Sequence, residues 1–185
     1  KDKEFHLWGN YDSVYEGYSL DEDIRYRASS GGALTSISLF LLDNGIVDGI
    51  IHTGVSKKDP MATDTFVSKT RLDLLEHIGS RYSISIPLAN ICSIVEEGKK
   101  YAFIGKPCDV AALRRYLECN KNLREQIIFM MSFFCAGMPS NDANLKLLNK
   151  MGCSKGKIKS LQYRGNGWPG YTTAIDGDGK LYHVD

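Results

Sequence analysis

The feature that most constrains this chain is an alternation of strand-like and helix-like segments over its first 150 or so residues. Short β-branched or apolar runs predict strands at 46–55, 63–69, 101–105 and 127–135. Segments with helical spacing and capping signals predict helices at 33–43, 70–79, 87–100, 109–118 and 141–152. Because strands that alternate with helices pair in parallel, we expect an α/β fold with a mostly parallel central sheet flanked by helices.

Local signals within these segments give more specific predictions. Thr70 and Asp73 have the spacing of a capping box, and Asp109 is the expected cap of the fourth helix. The run "IIFMMSFFC" is apolar throughout, which is typical of a central strand covered on both faces. The first helix is expected to bury the face formed by Ala33, Leu34, Ile37, Phe40 and Leu41.

The last part of the chain has a different character. Short strand segments alternate there with Gly-rich turns, and "DGDG" is typical of a hairpin, so a β-meander is expected. We therefore divide the chain into an α/β core at 1–150 and a β-rich segment at 151–185 of the same domain. The sequence opens with Lys1 rather than Met, as expected of a piece of a longer chain truncated at both ends.

Charge and composition exclude several classes of protein. Lys plus Arg number 23 and Asp plus Glu number 22, so no electrostatic attraction to nucleic acid is expected. The longest apolar runs, "ISLFLL" and "IIFMMSFF", are too short to span a bilayer, and no membrane insertion is expected. The five cysteines are odd in number and form no CxxC pair, which favours reduced thiols and a cytoplasmic location.

The stretch "RYRASSGGAL" places small residues just before the first long helix. In one interpretation, Ser29 or Ser30 is a helix cap. In the other, the bare backbone at the helix N-terminus binds a phosphate or another anion, with Arg25 and Arg27 upstream. Both interpretations stay open on the residues alone. The candidate ligand-binding residues are Ser29, Ser30, Gly31, Gly32 and Thr35.

Two cysteines follow predicted strands in the same arrangement. Cys108 and Cys135 each come at or just past the end of an apolar run, with a helix soon after. In a parallel sheet both would lie at the carboxyl edge, where open α/β sheets bind ligands. Three interpretations remain: packing as small apolar residues, a nucleophile at Cys108 with no histidine clearly placed to serve it, or thiolate ligands of a metal or iron–sulfur centre.

Two loops combine cations with aromatic side chains. The first, "GSRY", contains Gly79, Ser80, Arg81 and Tyr82. The second, "YRGNGWPG", contains Arg164 and Trp168. An arginine beside an aromatic face suits a planar ligand or a phosphate, whereas a tight turn with Trp packed on Pro is the structural alternative.

Taken in order, five segments resemble the beta subunit family of coenzyme F420-reducing hydrogenases and dehydrogenases, including its bacterial relatives. The resemblance covers roughly residues 8–175, and the ordered set of motifs is more specific than any one of them. The segments are "IRYRASSGGALTSISLFLLDNGIVDGII", "HIGSRYS", "FIGKPCDVAALRR", "FFCAGMPS" and "YRGNGWPG".

The resemblance implies a flavoprotein with a 4Fe–4S cluster. Electrons would pass between a redox partner, such as ferredoxin or an upstream ferredoxin-like module, the cluster and FAD, and a hydride would be exchanged with an organic substrate. Cys108 and Cys135 match two cluster ligands; the family's other two lie in a downstream CxxC that this sequence lacks. The turn at 29–32 and the loop at 79–82 match flavin-contacting segments, with Arg164 and Trp168 beside the flavin or substrate.

Two alternative functions are also consistent with the residues. One is a domain that retains the fold without redox centres and serves as a binding or assembly subunit. The other is a thiol-dependent transferase that uses Cys108. The sequence identifies no catalytic acid or base.

Overall fold

The computed structural model describes residues 9–167 and 170–184, and it contains a four-stranded mixed sheet. The strand order is β2-β1-β3-β4; β1–β3 and β3–β4 pair in parallel, whereas β2 is antiparallel to β1. The predicted α/β fold with a mostly parallel sheet is therefore confirmed. The strands are β1 (Gly49–Val55), β2 (Thr63–Ser68), β3 (Tyr101–Gly105) and β4 (Ile127–Ser132).

Seven α-helices and two 3₁₀ turns are found among the described residues. None of these helices is long and apolar enough to cross a membrane. The 3₁₀ turns are Ser30–Gly32 and Lys155–Lys157, and the helices are α1 (Glu22–Arg27), α2 (Ala33–Asp43), α3 (Arg71–Glu76), α4 (Ile91–Ile94), α5 (Pro107–Cys119), α6 (Lys121–Gln126) and α7 (Asn141–Met151).

Local capping explains several of these boundaries. The Asp21 carboxylate accepts hydrogen bonds from the N–H groups of Asp23 and Ile24 and starts α1. Thr70 and Asp73 form the predicted capping box of α3. Gly152 ends α7 in the left-handed conformation.

Two apolar cores cover the two faces of the sheet. Neighbouring residues of one strand face opposite sides, so Ile51 and Phe103 belong to one core, and Ile50 and Ala102 belong to the other. Helices α5 and α6 pack on the first face through Leu113, Leu117 and Leu123. Helices α1, α2 and α3 pack on the second face through Ile24, Leu39, Leu41 and Leu74. This arrangement places α1 and the serine–glycine turn on one side of the sheet.

The C-terminal part forms a second, antiparallel sheet with strand order β5-β6-β7. The predicted meander is confirmed, with a hairpin at "DGDG". Leu161 and Ala174 of this sheet share a core with Leu148 of α7 and with Met61 from the β1–β2 connection. The strands are β5 (Ile158–Gln162), β6 (Thr172–Asp176) and β7 (Leu181–Val184).

The prediction that "IIFMMSFFC" forms a central strand is wrong. β4 spans only Ile127–Ser132 and lies at the edge of the sheet among the described residues. Ile128 and Phe129 are 40% and 44% exposed. An apolar run identifies a strand, but its place in the sheet depends on pairings with residues far away in the chain.

Three helix predictions also need correction. The segment at 87–100 contains only the single turn α4, and Gly98 interrupts it with a positive φ of 74°. Helix α5 begins at Pro107 with Lys106 as its cap, so Asp109 is the third helical residue rather than the cap. In α2 the buried residues are Ser38, Leu39 and Leu41, whereas Ile37 and Phe40 are exposed.

Candidate functional site

The serine–glycine turn adopts a left-handed bend. Ser30, Gly31 and Gly32 have φ angles of 53°, 72° and 77°. Among the described residues, no side-chain capping hydrogen bond is found at Ser29, which precedes the 3₁₀ turn, or at Gly32, which precedes α2. The interpretation of Ser29 or Ser30 as a helix cap is therefore wrong. Because glycine reaches this region without steric cost, the sequence "SSGG" suits the bend.

The two glycines of the turn are required by packing within the protein. A Cβ on Gly32 would lie 2.8 Å from Cγ2 of Ile24, and a Cβ on Gly31 would lie 3.0 Å from Cβ of Tyr18. The N–H of Ser19 also donates to the carbonyl of Gly31 at 2.7 Å. Neighbouring side chains therefore occupy the space over these glycines, which do not need a ligand to explain them.

An open groove of about 970 Å³ lies beside the turn. Its volume is in the range of known ligand sites. Ser29 is one of the lining residues, but its Oγ is buried away from the groove and has no hydrogen-bond partner in the described part of the chain. Helix α1, the turn and the loop after β5 contribute the lining residues Glu22, Asp23, Arg25, Tyr26, Ala28, Ser29, Ser30, Gly31, Arg164, Gly165, Gly167 and Gly170.

Both signs of charge line this groove. Glu22 and Asp23 lie at the start of α1, and Asp23 accepts a hydrogen bond from Arg27 at 3.1 Å. Arg25 lies with its guanidinium carbon 5.2 Å from the centre of the Tyr18 ring. Arg164 enters from the glycine-rich loop. The groove therefore offers two cations to an anionic ligand and carboxylates at one end.

The second predicted loop, at 79–82, packs beside the groove. A Cβ on Gly79 would lie 3.8 Å from the carbonyl oxygen of Arg164. Arg164 Nη1 donates to the Tyr82 hydroxyl at 3.4 Å, and the rings of Tyr82 and Tyr163 meet edge to face at 5.4 Å. The loop thus supports Arg164, a residue that lines the groove.

Arg81 is directed into the protein rather than into the groove. Its Nη1 donates to the carbonyl of Leu161 at 3.1 Å, and its Nε is buried without a hydrogen-bond partner among the described residues. Burial lowers the pKa of this guanidinium. The Tyr163 hydroxyl is also buried and unpartnered in that part of the chain, and burial raises its pKa to about 12.

The predicted ligand-binding residues therefore fall into two groups. Ser29, Ser30, Gly31 and Arg164 meet at the groove. Trp168 lies outside the described residues. The others do not line the groove: Gly32 is buried, and the rest are half-buried or partly exposed beside it, namely Thr35, Gly79, Ser80, Arg81 and Tyr82.

Cys108 and Cys135 follow the ends of adjacent parallel strands. Gly105 at the end of β3 pairs with Ser132 at the end of β4, and the Ser132 hydroxyl donates to the Gly105 carbonyl at 3.0 Å. Cys108 and Cys135 each lie three residues beyond these paired ends (108 − 105 and 135 − 132). Both thiols are exposed. The sheet topology thus brings both segments to one edge.

The other three cysteines do not lie beside Cys108 and Cys135 as further ligands of one centre. Cys119 ends α5, roughly 16 Å along the helix axis from Cys108. Cys92 contacts the Tyr116 hydroxyl at 3.1 Å, and Cys153 is buried in the third core. In the part of the chain that the structure describes, no group of three or more His, Cys, Asp or Glu residues could hold a metal ion. Cys108 and Cys135 therefore supply two exposed thiols at this edge of the sheet, and the described residues form no complete four-thiolate site.

A buried histidine cluster lies near the second core, and no sequence motif indicated it. His52 on β1 and His77 after α3 lie with ring centres 5.3 Å apart, and His77 stacks on Phe66 at 3.9 Å. His52 Nε2 and the Ser68 hydroxyl share a hydrogen bond of 2.7 Å. Burial lowers the pKa of His52 to about 4 and also lowers the pKa of His77. The alternation of inward- and outward-facing residues along β1 could have indicated that His52 is buried. It could not have indicated that His77, which follows α3, lies beside it.

Two family models match most of the chain. The model described as coenzyme F420 hydrogenase/dehydrogenase, beta subunit N-term, matches residues 14–92. The model for the C-terminal part of the beta subunit in the same family matches residues 98–184.

Curated relatives and a solved structure agree with these matches. The coenzyme F420 hydrogenase subunit beta of Methanosarcina barkeri is 28% identical over 85% of this chain and 60% of its own length. The F420-dependent formate dehydrogenase subunit beta of Methanocaldococcus jannaschii is 27% identical over 70% of this chain and 34% of its own length. The chain thus spans less than two thirds of these relatives.

The solved structure is a chain of the F420-reducing [NiFe] hydrogenase complex from Methanosarcina barkeri, with a TM-score of 0.67 and 23% identity. The match covers 90% of this chain and 58% of that one, and it supports the same fold. The fold and the two consecutive family matches together show that this chain belongs to the coenzyme F420 hydrogenase/dehydrogenase beta subunit family of oxidoreductases.

Proposed function

We propose that this chain is the flavin-binding part of an oxidoreductase that passes electrons between a ferredoxin-like donor, a 4Fe–4S cluster and FAD. A hydride would be exchanged with an organic substrate, either a deazaflavin like coenzyme F420 or a saccharide. The names of the curated relatives support the deazaflavin. A cytoplasmic location fits the five free cysteines.

The groove beside the serine–glycine turn is the observation that carries the FAD proposal. Arg25 and Arg164 line this groove and provide positive charge beside the backbone of Ser30 and Gly31. FAD carries a diphosphate, which favours such an environment. When bound, FAD supplies the hydride-transfer chemistry. This chain's own residues neutralise the phosphates and fix the position of the ligand along α1.

Fewer residues support the proposed 4Fe–4S cluster than support the FAD site. Cys108 and Cys135 are exposed beyond adjacent strands, as two ligands of one centre must be. A 4Fe–4S cluster needs four thiolates, and the described residues do not supply the other two. We therefore assign Cys108 and Cys135 as two of its ligands, require two ligands from elsewhere, and derive no electron-transfer step through the cluster.

The test is the flavin content of the protein purified anaerobically as its longest natural chain. We expect close to one FAD released per chain on denaturation. A flavin-free protein that does not bind added FAD, yet unfolds cooperatively, would overturn the proposal and favour a binding or assembly role.

A charge reversal tests the groove itself. Arg25→Glu reverses one of the two positive charges that line the groove, so the Kd for FAD should rise at least tenfold, which corresponds to about 1.4 kcal/mol. Arg115→Glu reverses an exposed arginine on α5 and is the matched control. Equal FAD affinity in the two variants would contradict the assignment of the groove.

A further inference from the structure

We propose that Tyr26 is the platform on which the adenine ring of the dinucleotide stacks, with Glu22 accepting a hydrogen bond from the adenine amino group. This inference rests on the proposed FAD site and adds two residues that neither the sequence motifs nor the family resemblance single out. Tyr26 lines the groove and is 56% exposed. An aromatic ring left open to a ligand-sized groove suits stacking against a base.

The position of Tyr26 is fixed by its surroundings. Its carbonyl accepts a hydrogen bond of 2.9 Å from the N–H of Gly167. Ile24 of the same helix is 2% exposed in the core below. The capping residue Asp21 forms an ion pair with Arg71. Because these contacts hold α1 at both ends, its backbone needs little ordering when a ligand binds.

The neighbouring glycine loop shapes the space around the ring. A Cβ on Gly167 would approach Cε2 of Tyr26 to 3.4 Å, so a larger residue there would crowd one edge of the ring. Gly165 has no room for a side chain either, since a Cβ would lie 2.6 Å from the carbonyl oxygen of Arg27. The loop therefore lies close against α1, and Tyr26 is the aromatic side chain among the described residues that line the groove.

The order of groups along α1 matches one orientation of an adenosine diphosphate. Glu22 precedes Tyr26 by four residues, which puts both on one side of the helix. Ser29 follows Tyr26 by three residues, so at most roughly 10 Å separates the Cα atoms of these two residues. A base on Tyr26 would thus carry its phosphates toward the turn and away from the carboxylates.

Charge favours adenine over the flavin ring at this place. The adenine amino group is a donor that a carboxylate accepts, whereas a flavin gains negative charge on reduction and is disfavoured beside Glu22 and Asp23. Asp23 is already engaged by Arg27 at 3.1 Å. Glu22 approaches Arg25 only to 3.8 Å, with its side chain 89% exposed, so its oxygens remain available to the amine.

The experiment compares three probes on the apoprotein of the longest natural chain: FAD, FMN, which lacks adenosine, and ADP. Tyr26→Ala should weaken FAD and ADP at least tenfold and leave FMN within twofold. Tyr26→Phe, which keeps the ring, should restore FAD binding to within threefold of the wild type. Tyr15→Ala removes an exposed tyrosine outside the groove and is the control.

The proposed hydrogen bond from the adenine amino group to Glu22 is tested with inosine diphosphate, in which a carbonyl group replaces that amino group. The wild type should prefer ADP, and Glu22→Gln should remove most of that preference. Equal losses for FAD and FMN in Tyr26→Ala, or unchanged FAD affinity, would overturn the assignment of adenine to Tyr26. If the wild type binds neither FAD nor FMN, the proposed function fails instead. A Tyr26→Phe variant as weak as Tyr26→Ala would exclude stacking.

Discussion

Acidification should destabilise this protein through one buried histidine. His52 is 5% exposed, and burial lowers its pKa from the ordinary 6.5 to about 4. The folded protein therefore binds this proton roughly 300-fold more weakly than the unfolded chain, which is worth about 3 kcal/mol. The neutral ring is satisfied by Ser68 on Nε2 and by the Thr53 carbonyl, 3.3 Å from Nδ1.

The direction in which pH changes the free energy of unfolding depends on whether the folded or the unfolded state binds the proton of His52 more tightly. Between pH 6.5 and 4 the unfolded chain is protonated at His52 and the folded protein is not, so the free energy of unfolding falls as the pH is lowered. The contribution is fully present above pH 6.5. By pH 4.5 about 2.5 kcal/mol of it is lost. Lowering the pH further through the folded pKa removes the remainder.

Urea unfolding of the wild type and of His52→Gln at pH 7.5 and pH 4.5 measures this loss. The wild type should lose about 2.5 kcal/mol more than the variant over this range, because the amide does not titrate. His183→Gln, which changes an exposed histidine on β7, should behave as the wild type. Equal losses in the wild type and His52→Gln, or an NMR titration that places the His52 pKa near 6.5, would refute this reasoning.

Two further substitutions test the local packing and capping. Gly54→Ala would place a Cβ 2.4 Å from Nδ1 of His77, so it should destabilise the protein by about 1–3 kcal/mol in urea unfolding. The control is Gly17→Ala, whose added Cβ has none of the described residues beyond its chain neighbours within 4 Å; equal midpoints for the two variants would contradict the packing. Thr70→Ala removes the acceptor of the Asp73 N–H and should cost about 1 kcal/mol, most of which Thr70→Ser should recover. A loss in Thr70→Ser as large as in Thr70→Ala would argue against the cap.

The parts of the candidate site that could be predicted are those encoded by patterns within a few residues of the sequence. The serine–glycine turn was identified because small residues before a helix are visible within four positions. Cys108 and Cys135 were placed at one edge because each follows a strand, and adjacent parallel strands end together. Arg81 shows the limit, since its loop was found but its guanidinium points to Leu161. The direction of a side chain depends on what packs against its loop.

Local sequence patterns are sufficient to predict the α/β class, the capping box at Thr70, the end of α7 at Gly152 and the meander at the C-terminus. Each is encoded within a few residues, where backbone sterics and local hydrogen bonds decide the conformation. The position of β4 at the edge of the sheet and the stacking of His77 on Phe66 are set by long-range packing. The same long-range contacts bring α1 and the loop after β5 together, so that both line one groove. Those outcomes depend on contacts between residues far apart in the chain, which no local pattern specifies.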